Sequence, residues 1–171
     1  MAVPKRNARI PGTYFVTSRT WESRALFLLE PNCLLFIEAL ENYRTTGAFA
    51  LHSFVLMPDH FHILLTPSSE RTLERAVQLI KGGSAHQIGK QRQSRFPVWQ
   101  RGFSDHRIRD AGDYATHVRY IEQNPLRKRL TQTVNEYRWS SAAGLYSLDP
   151  IPQRLKPGAN AAAGGMAKAM P

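Results

Sequence analysis

The chain has 171 residues, 42% of them hydrophobic, so it is long and apolar enough to bury the core of one domain. Lys and Arg number 23 against 13 Asp and Glu, a formal net charge of +10 that favours a polyanionic partner. The single cysteine excludes an internal disulfide framework and a cysteine-rich zinc site, and no apolar run approaches the ~20 residues of a membrane span. We expect a soluble protein of a reducing compartment that binds nucleic acid.

The first part of the chain predicts a strand, a helix and a hairpin. After a basic arm over residues 1–12, aromatic and β-branched residues alternate with polar ones in TYFVTSRT, which predicts a strand. Apolar residues at helical spacing predict a helix from Pro31 to Gly47. The apolar stretches AFALHSFVLM and HFHILLT flank the turn signal Pro58-Asp59, so they are expected to form a hairpin.

The middle of the chain predicts a second helix and a further strand. The helix is expected from Thr72 through Ile80, and the pair Gly82-Gly83 should weaken or bend it. A basic stretch without acidic residues follows. FPVWQRGFSDHRIRD then predicts a strand with a bulge at Gly102.

The last predicted element is a helix capped by Asp110, which is expected to end near Asn124 because Pro125 follows. The element order is therefore β-α-β-β-α-β-α. Its first six elements match an α+β, ferredoxin-like split βαβ arrangement, an antiparallel sheet with helices packed on one face. We expect the folded domain over residues 13–148 and a flexible tail rich in Pro, Gly and Ala over residues 149–171.

The stretch His-Phe-His at residues 60–62 is the most informative for chemistry. In a strand, His60 and His62 would point to the same face while Phe61 turns into the core. Two neutral imidazoles side by side can bind a divalent metal. The alternative is an inert pair of half-exposed histidines.

The stretch YIEQNP places Tyr120 and Asn124 four residues apart, on one face of the last helix. A tyrosine can be a nucleophile that forms a covalent intermediate, and an asparagine oxygen can be a ligand of a hard cation. The alternative is that Tyr120 is a core aromatic residue and Asn124 caps the C-terminus of the helix.

Residues 99–109 interleave aromatic and basic side chains, a pattern that suits single-stranded nucleic acid because rings stack on bases and Arg binds phosphate. The alternative is a core strand with a solvated basic face. Asp105 and His106 in this stretch are candidates for hydrogen-bonded support of the metal ligands. The aromatic and basic residues of the stretch are Trp99, Arg101, Phe103, Arg107 and Arg109.

Three stretches in this order, HSFVLMPDHFHILL, VWQRGFSDHRIR and YIEQNPL, resemble the REP-associated tyrosine transposases. These are bacterial relatives of the single-tyrosine HUH transposases of small insertion sequences. The resemblance runs from about Tyr14 to Trp139 and implies a ferredoxin-like fold with Tyr120 as the nucleophile. It also implies Mg²⁺ or Mn²⁺ as cofactor. The implied metal ligands are His60, His62 and Asn124.

The resemblance further implies cleavage and rejoining of single-stranded DNA at hairpins formed by repetitive extragenic palindromes, without a nucleotide cofactor. A 5′-phosphotyrosine would form and a free 3′-OH would leave. We expect a monomer in the bacterial cytoplasm, associated with the nucleoid and not with a membrane. Phosphate and base contacts are expected from Lys5, Arg6, Arg9, Lys81, Lys90, Arg92, Trp99, Arg101 and Arg107.

Two other functions remain open from the sequence. One is a domesticated, non-catalytic protein of the same fold that binds DNA or RNA hairpins. Such a protein would be expected to have lost the histidine pair or the tyrosine, and both are present. The other is a small metal-dependent nuclease that uses activated water. Only the transposase would leave protein covalently attached to DNA.

Overall fold

The computed structural model describes residues 11–158 and contains four strands and three α-helices within that range. The order confirms the predicted β-α-β-β-α-β-α. None of the helices in the described part of the chain is long and apolar enough to cross a membrane. The elements are β1 (Tyr14–Arg19), α1 (Glu30–Thr45), β2 (Phe49–Met57), β3 (His60–Pro67), α2 (Leu73–Arg92), β4 (Ser104–Arg107) and α3 (Ala111–Arg127).

The strands form one antiparallel sheet in the order β2-β3-β1-β4. The hairpin strands β2 and β3 are neighbours, and β1 lies between β3 and β4. Each βαβ unit therefore spans one intervening strand, which is the split βαβ arrangement. The predicted ferredoxin-like α+β fold is confirmed.

The two faces of the sheet pack against different helices. On β3, Phe61, Ile63 and Leu65 join the larger apolar cluster with residues of α1 and α2, as predicted for the first two helices. Leu64 points the other way and joins a smaller cluster with Ile121 of α3. Because side chains alternate along a strand, His60 and His62 lie on the same face as Leu64, beneath α3.

Helix α2 does not weaken at Gly82-Gly83 as expected but continues to Arg92. A glycine costs only about 1 kcal/mol in a helix interior, which tertiary contacts can offset. A Cβ on Gly83 would lie 2.6 Å from Cε2 of Tyr43 on α1, so the missing side chain allows the two helices to approach.

The predicted strand over FPVWQRGFSDHRIRD is shorter than expected, since only Ser104–Arg107 forms β4. Trp99 makes an isolated bridge to Thr20. Between them Gly102 adopts a φ of 72° and turns the chain instead of forming a bulge in a strand. The Lys81 ammonium donates to the carbonyl oxygen of Gln100, 2.7 Å away, which ties this turn to α2.

Helix α3 continues past Asn124 to Arg127, with Pro125 inside it. Proline removes only one backbone hydrogen bond here, in the last turn of the helix, and its ring is buried. The Lys128 amide donates to the carbonyl oxygen of Asn124 at 3.1 Å and closes the turn. The expected end at Asn124 is therefore wrong by one helical turn.

The segment after α3 follows the outer edge of β2. The Leu56 amide donates to the Trp139 carbonyl, and the Asp149 amide donates to the Leu51 carbonyl. The Asp149 carboxylate accepts from the Leu51 amide at 2.7 Å and from Arg44 Nε at 2.9 Å. Among the described residues, this segment provides the hydrogen-bond partners for most of the paired amides on this edge.

The first residues of the expected tail contact the domain. Asp149 is held at the edge of β2, and Leu155 is 1% exposed in the cluster that contains Tyr114 and Ile121 of α3. Asp149 and Leu155 thus anchor this stretch to the domain, whereas the division into arm, domain and tail stays a prediction. Residues 1–10 and 159–171 lie outside the described residues, and with them Lys5, Arg6 and Arg9.

Candidate functional site

His60 and His62 lie side by side on the α3 face of the sheet. Their ring centroids are 4.8 Å apart, and the residues are 7% and 5% exposed. The pair is therefore buried, in contrast to the half-exposed histidines of the inert alternative. Placement on a central strand holds the two imidazole rings next to each other.

Each imidazole is oriented by a hydrogen bond at Nδ1. His62 Nδ1 lies 2.7 Å from Oγ1 of Thr17, its partner in the β1–β3 register. His60 Nδ1 lies 2.6 Å from Oδ1 of Asp59. Because a carboxylate only accepts, His60 Nδ1 donates, and Nε2 of the neutral ring keeps its lone pair. Such partners fix the ring orientation of metal-binding histidines in general.

Burial keeps both imidazoles neutral. It lowers the pKa of His60, and it lowers the pKa of His62 from 6.5 to about 3, with a further decrease from the neighbouring His60. A histidine must be deprotonated at the nitrogen that binds a metal. Both rings are thus in the ligating form at neutral pH.

Helix α3 places Tyr120 and Asn124 over this pair. The Tyr120 ring lies 5.2 Å from that of His62, and the residue is 36% exposed, so it is not a core aromatic. Asn124 is 4% exposed and its Oδ1 is buried without a hydrogen-bond partner in the described part of the chain. The residue that caps the helix is Lys128. An orphaned buried acceptor costs free energy unless a ligand satisfies it.

These four side chains share one open cleft of about 440 Å³. Two cations, Arg19 and Lys128, also line it, and the Arg127 guanidinium lies 5.2 Å from the centroid of the Tyr120 ring. The other lining residues come from the end of β2 and the β2–β3 turn, from the segment after β1 and from the segment after α3. The full set is Arg19, Ser23, Ala25, Met57, Pro58, Asp59, His60, His62, Tyr120, Asn124, Lys128 and Leu130.

The sequence interpretation missed Arg19, Lys128, Thr17 and Asp59. A signal existed for Lys128, which lies one helical turn after Asn124 and so shares its face. Arg19 is opposite His60 in the β1–β3 register, which only the paired sheet reveals. Cations beside a candidate nucleophile make the cleft attractive to phosphate.

Two of the predicted DNA contacts are used inside the fold. Trp99 is 8% exposed, and its Nε1 donates to Ser84 Oγ at 3.0 Å. Trp99 thus offers no free ring face for base stacking. The half-buried Lys81 ammonium donates to backbone carbonyls of the turn before β4, and burial lowers its pKa.

The other predicted DNA contacts in the described residues are exposed. Lys90 and Arg92 lie in the last turn of α2, which packs on the sheet face opposite the histidines. Arg107 Nη2 donates to the Pro11 carbonyl at 2.9 Å, and Arg101 lies in the turn before β4. Their contacts with DNA stay a prediction.

Asp105 and His106 do not support the histidine pair directly. Successive strand residues face opposite sides, and the register places Asp105 beside Val16 of the larger core. His106 lies on the α3 face, where its Nε2 is 2.8 Å from Oδ2 of Asp113. The hydrogen-bonded support comes from Thr17 and Asp59 instead.

His106 belongs to a second group of titratable side chains with Asp113 and His117. One potential ligand atom from each lies within 4.8 Å of the others, which is the spacing of a candidate metal site. The group connects β4 to the first turns of α3. It is therefore separate from the cleft, although α3 contributes to both.

Comparisons with known proteins show what the chain and its fold are similar to. Residues 21–124 match the family model described as "Transposase IS200 like". A REP-associated tyrosine transposase of Escherichia coli K12 is 26% identical over 148 residues, covering 80% of this chain and 87% of that protein. The solved structure of a REP-associated tyrosine transposase bound to a REP hairpin superposes with a TM-score of 0.69 at 26% identity, covering 89% of this chain and 92% of that one. The resemblance predicted from the three motifs is confirmed.

Proposed function

Because the chain belongs to the family of IS200-like transposases, we propose that it cleaves and rejoins single-stranded DNA at palindromic hairpins through Tyr120. Membership of this family makes it a DNA-processing enzyme. The similar structure that holds a REP hairpin supports a hairpin as the substrate, and the net charge of +10 is consistent with a nucleic-acid partner.

The main observation in support of the proposal is that strand β3 and helix α3 line the same cleft. Strand β3 contributes His60 and His62, and helix α3 contributes Tyr120 and Asn124. A nucleophile, two neutral imidazoles and a buried amide oxygen then surround a space large enough for a phosphodiester. The nearby cations Arg19 and Lys128 would attract the phosphate backbone.

The residues present fit a divalent metal. His60, His62 and Asn124 would hold it through two imidazole nitrogens and the amide oxygen, which otherwise lacks a partner among residues 11–158. The amide oxygen suits Mn²⁺ or Mg²⁺, imidazole nitrogen is a better ligand for Mn²⁺ than for the harder Mg²⁺, and a bound metal would polarise the scissile phosphate. Thr17 and Asp59 would keep the rings oriented toward it.

The chain's own part in the reaction centres on the Tyr120 hydroxyl. Its oxygen attacks the phosphorus in line, the bond from tyrosine oxygen to phosphorus forms, and the bond from phosphorus to the 3′-oxygen breaks. The tyrosine loses its proton and the departing 3′-oxygen gains one. The phosphotyrosine conserves the energy of the phosphodiester, so a 3′-OH can reverse the step without a nucleotide cofactor.

A denaturing gel with a labelled hairpin and single-stranded flank in Mn²⁺ tests the proposal. We expect a covalent protein–DNA adduct with the wild type and none with Tyr120→Phe. Tyr43→Phe, which removes a hydroxyl between α1 and α2, is the matched control and should form the adduct normally. An adduct that persists in Tyr120→Phe would show that another residue is the nucleophile.

The same gel separates the other two functions. Cleavage that leaves no protein attached would indicate a nuclease that uses activated water. Tight binding of the hairpin with no cleavage in Mn²⁺ would indicate a non-catalytic binding protein. Both results would contradict the proposed reaction.

A further inference from the structure

Helix α3 is tied to the edge strand β4 by the group His106, Asp113 and His117, called here the Asp113 cluster. The Asp113 side chain is 7% exposed. Its Oδ2 accepts from His106 Nε2 at 2.8 Å and from the Arg109 amide at 2.9 Å. Its Oδ1 lies 3.1 Å from His117 Nδ1. One carboxylate thus joins β4, the loop after it and the second turn of α3.

The proton positions favour hydrogen bonding over metal binding in this cluster. His117 Nδ1 lies 2.8 Å from the backbone carbonyl oxygen of Asp113 as well as near its carboxylate. Both oxygens are acceptors, so Nδ1 carries a proton and donates. The His106 and His117 rings are also stacked, with centroids 4.7 Å apart and planes inclined by 16°. Two near-parallel rings that donate to one carboxylate explain the group without an ion.

One aromatic side chain connects this cluster to the cleft. Phe15 of β1 packs against the His117 ring, with centroids 4.8 Å apart. It also stacks on His62 at 5.2 Å and meets Tyr120 edge-on at 5.8 Å. Phe15 therefore contacts the cluster, a proposed metal ligand and the proposed nucleophile at the same time.

We propose that Asp113 and His117 are positioning residues that fix Tyr120 relative to His62 by way of Phe15. The inference rests on the proposed function of Tyr120. His117 precedes Tyr120 by three residues, so both project from the same face of α3. The cluster holds this face to β4, and Phe15 holds the two site side chains at a set separation. In-line attack depends on such positioning, and a displacement of about 1 Å can slow a reaction about 100-fold.

The test measures adduct formation at saturating hairpin together with the dissociation constant of the hairpin. Asp113→Asn weakens the cluster, and Phe15→Leu breaks its connection to the cleft. We expect each to slow adduct formation about ten- to hundredfold, with hairpin affinity and folded fraction unchanged. The double variant should be no slower than the slower single variant, because both act through one series of contacts. His86→Asn, an exposed histidine on α2, is the control.

An unchanged rate of adduct formation in Asp113→Asn overturns the inference. A decrease in rate that is no larger than the decrease in folded fraction also overturns it. A Zn²⁺-induced increase in melting temperature would also overturn the inference if it persisted in His60→Ala/His62→Ala but disappeared in Asp113→Asn, because the cluster would then be a metal site.

In 3-fluorotyrosine-labelled protein, the ¹⁹F resonance of Tyr120, assigned by its absence in Tyr120→Phe, should shift in Asp113→Asn. This signal needs no DNA, so it tests the positioning even if Tyr120 proves not to be the nucleophile.

Discussion

The two faces of the sheet are covered by different helices and carry different chemistry. Beneath α1 and α2 the buried side chains are mostly apolar, and Phe36, Phe54 and Phe61 have no exposed surface. Beneath α3 the buried residues include His60, His62 and Asn124. Because side chains alternate along a strand, β3 contributes residues to both faces.

The difference indicates where stability and function reside. Burial of neutral imidazoles and of an unpaired amide oxygen costs free energy that an apolar side chain would not. The larger core can offset this cost because its packing is independent of the site. A substitution on one face should therefore change mainly activity, and a substitution on the other mainly stability.

The largest effect is expected from His60→Ala combined with His62→Ala. Loss of both proposed metal ligands should slow adduct formation in Mn²⁺ at least about 100-fold, because stabilisation of several kcal/mol is lost from the transition state. The melting temperature should change little. A double variant that cleaves the hairpin at the wild-type rate would contradict the metal assignment.

Phe61→Ala should have the converse effect. Removing a fully buried phenyl ring from the larger core should lower the free energy of unfolding by about 3–5 kcal/mol. His62→Ala, one residue away and on the other face, should lower it by less. Urea denaturation of the two variants measures both values, and equal losses would refute the division between the faces.

Gly83→Ala probes how closely α1 and α2 approach. The new methyl group would clash with Tyr43, since its carbon would lie 2.6 Å from Cε2, and overpacking of this kind costs about 1–3 kcal/mol. Gly82→Ala is the matched control, because no atom of the described residues lies within 4 Å of its added Cβ. The control should be neutral or slightly stabilising by helix propensity. Equal melting temperatures for both variants would show that the contact is relaxed in solution.

The site face should also give the stability of the protein a pH dependence. The pKa of His62 is lowered from 6.5 to about 3, so between these values the unfolded chain binds a proton that the folded chain excludes. The free energy of unfolding should therefore fall as the pH decreases from 7 to 5, by up to about 1.4 kcal/mol per pH unit for this group. Denaturation in EDTA measures it. His62→Phe should show a shallower slope, and an unchanged slope would place the titration elsewhere.

The parts of the site that could be predicted from the sequence are those set by local periodicity. Alternation along β3 placed His60 and His62 on one face, and helical spacing placed Tyr120 and Asn124 together. Asp59 directly precedes His60 but was interpreted only as part of the turn, and Thr17 was not predicted because it reaches His62 only through the pairing of β1 with β3. Strand register is a tertiary property that no single segment encodes.

Local composition was misleading where tertiary contacts decide the outcome. Trp99 and Lys81 lie in stretches that resemble a nucleic-acid surface, yet one is buried against α2 and the other binds backbone carbonyls. Gly83 and Pro125 were expected to disturb helices. Gly83 is tolerated because the missing side chain allows close contact with α1. Pro125 is tolerated because it lies near the end of its helix, where the cost is small.

The hydrogen bonds along the outer edge of β2 have a consequence for association between molecules. Left uncovered, a nine-residue, mostly apolar edge strand would offer unpaired amides and carbonyls on which another chain could add a strand. Asp149 closes the edge at Leu51 through both its backbone and its carboxylate. Shortening the chain to Tyr146 would open that end of the strand, so the first cost of such a truncation would be aggregation rather than lost catalysis.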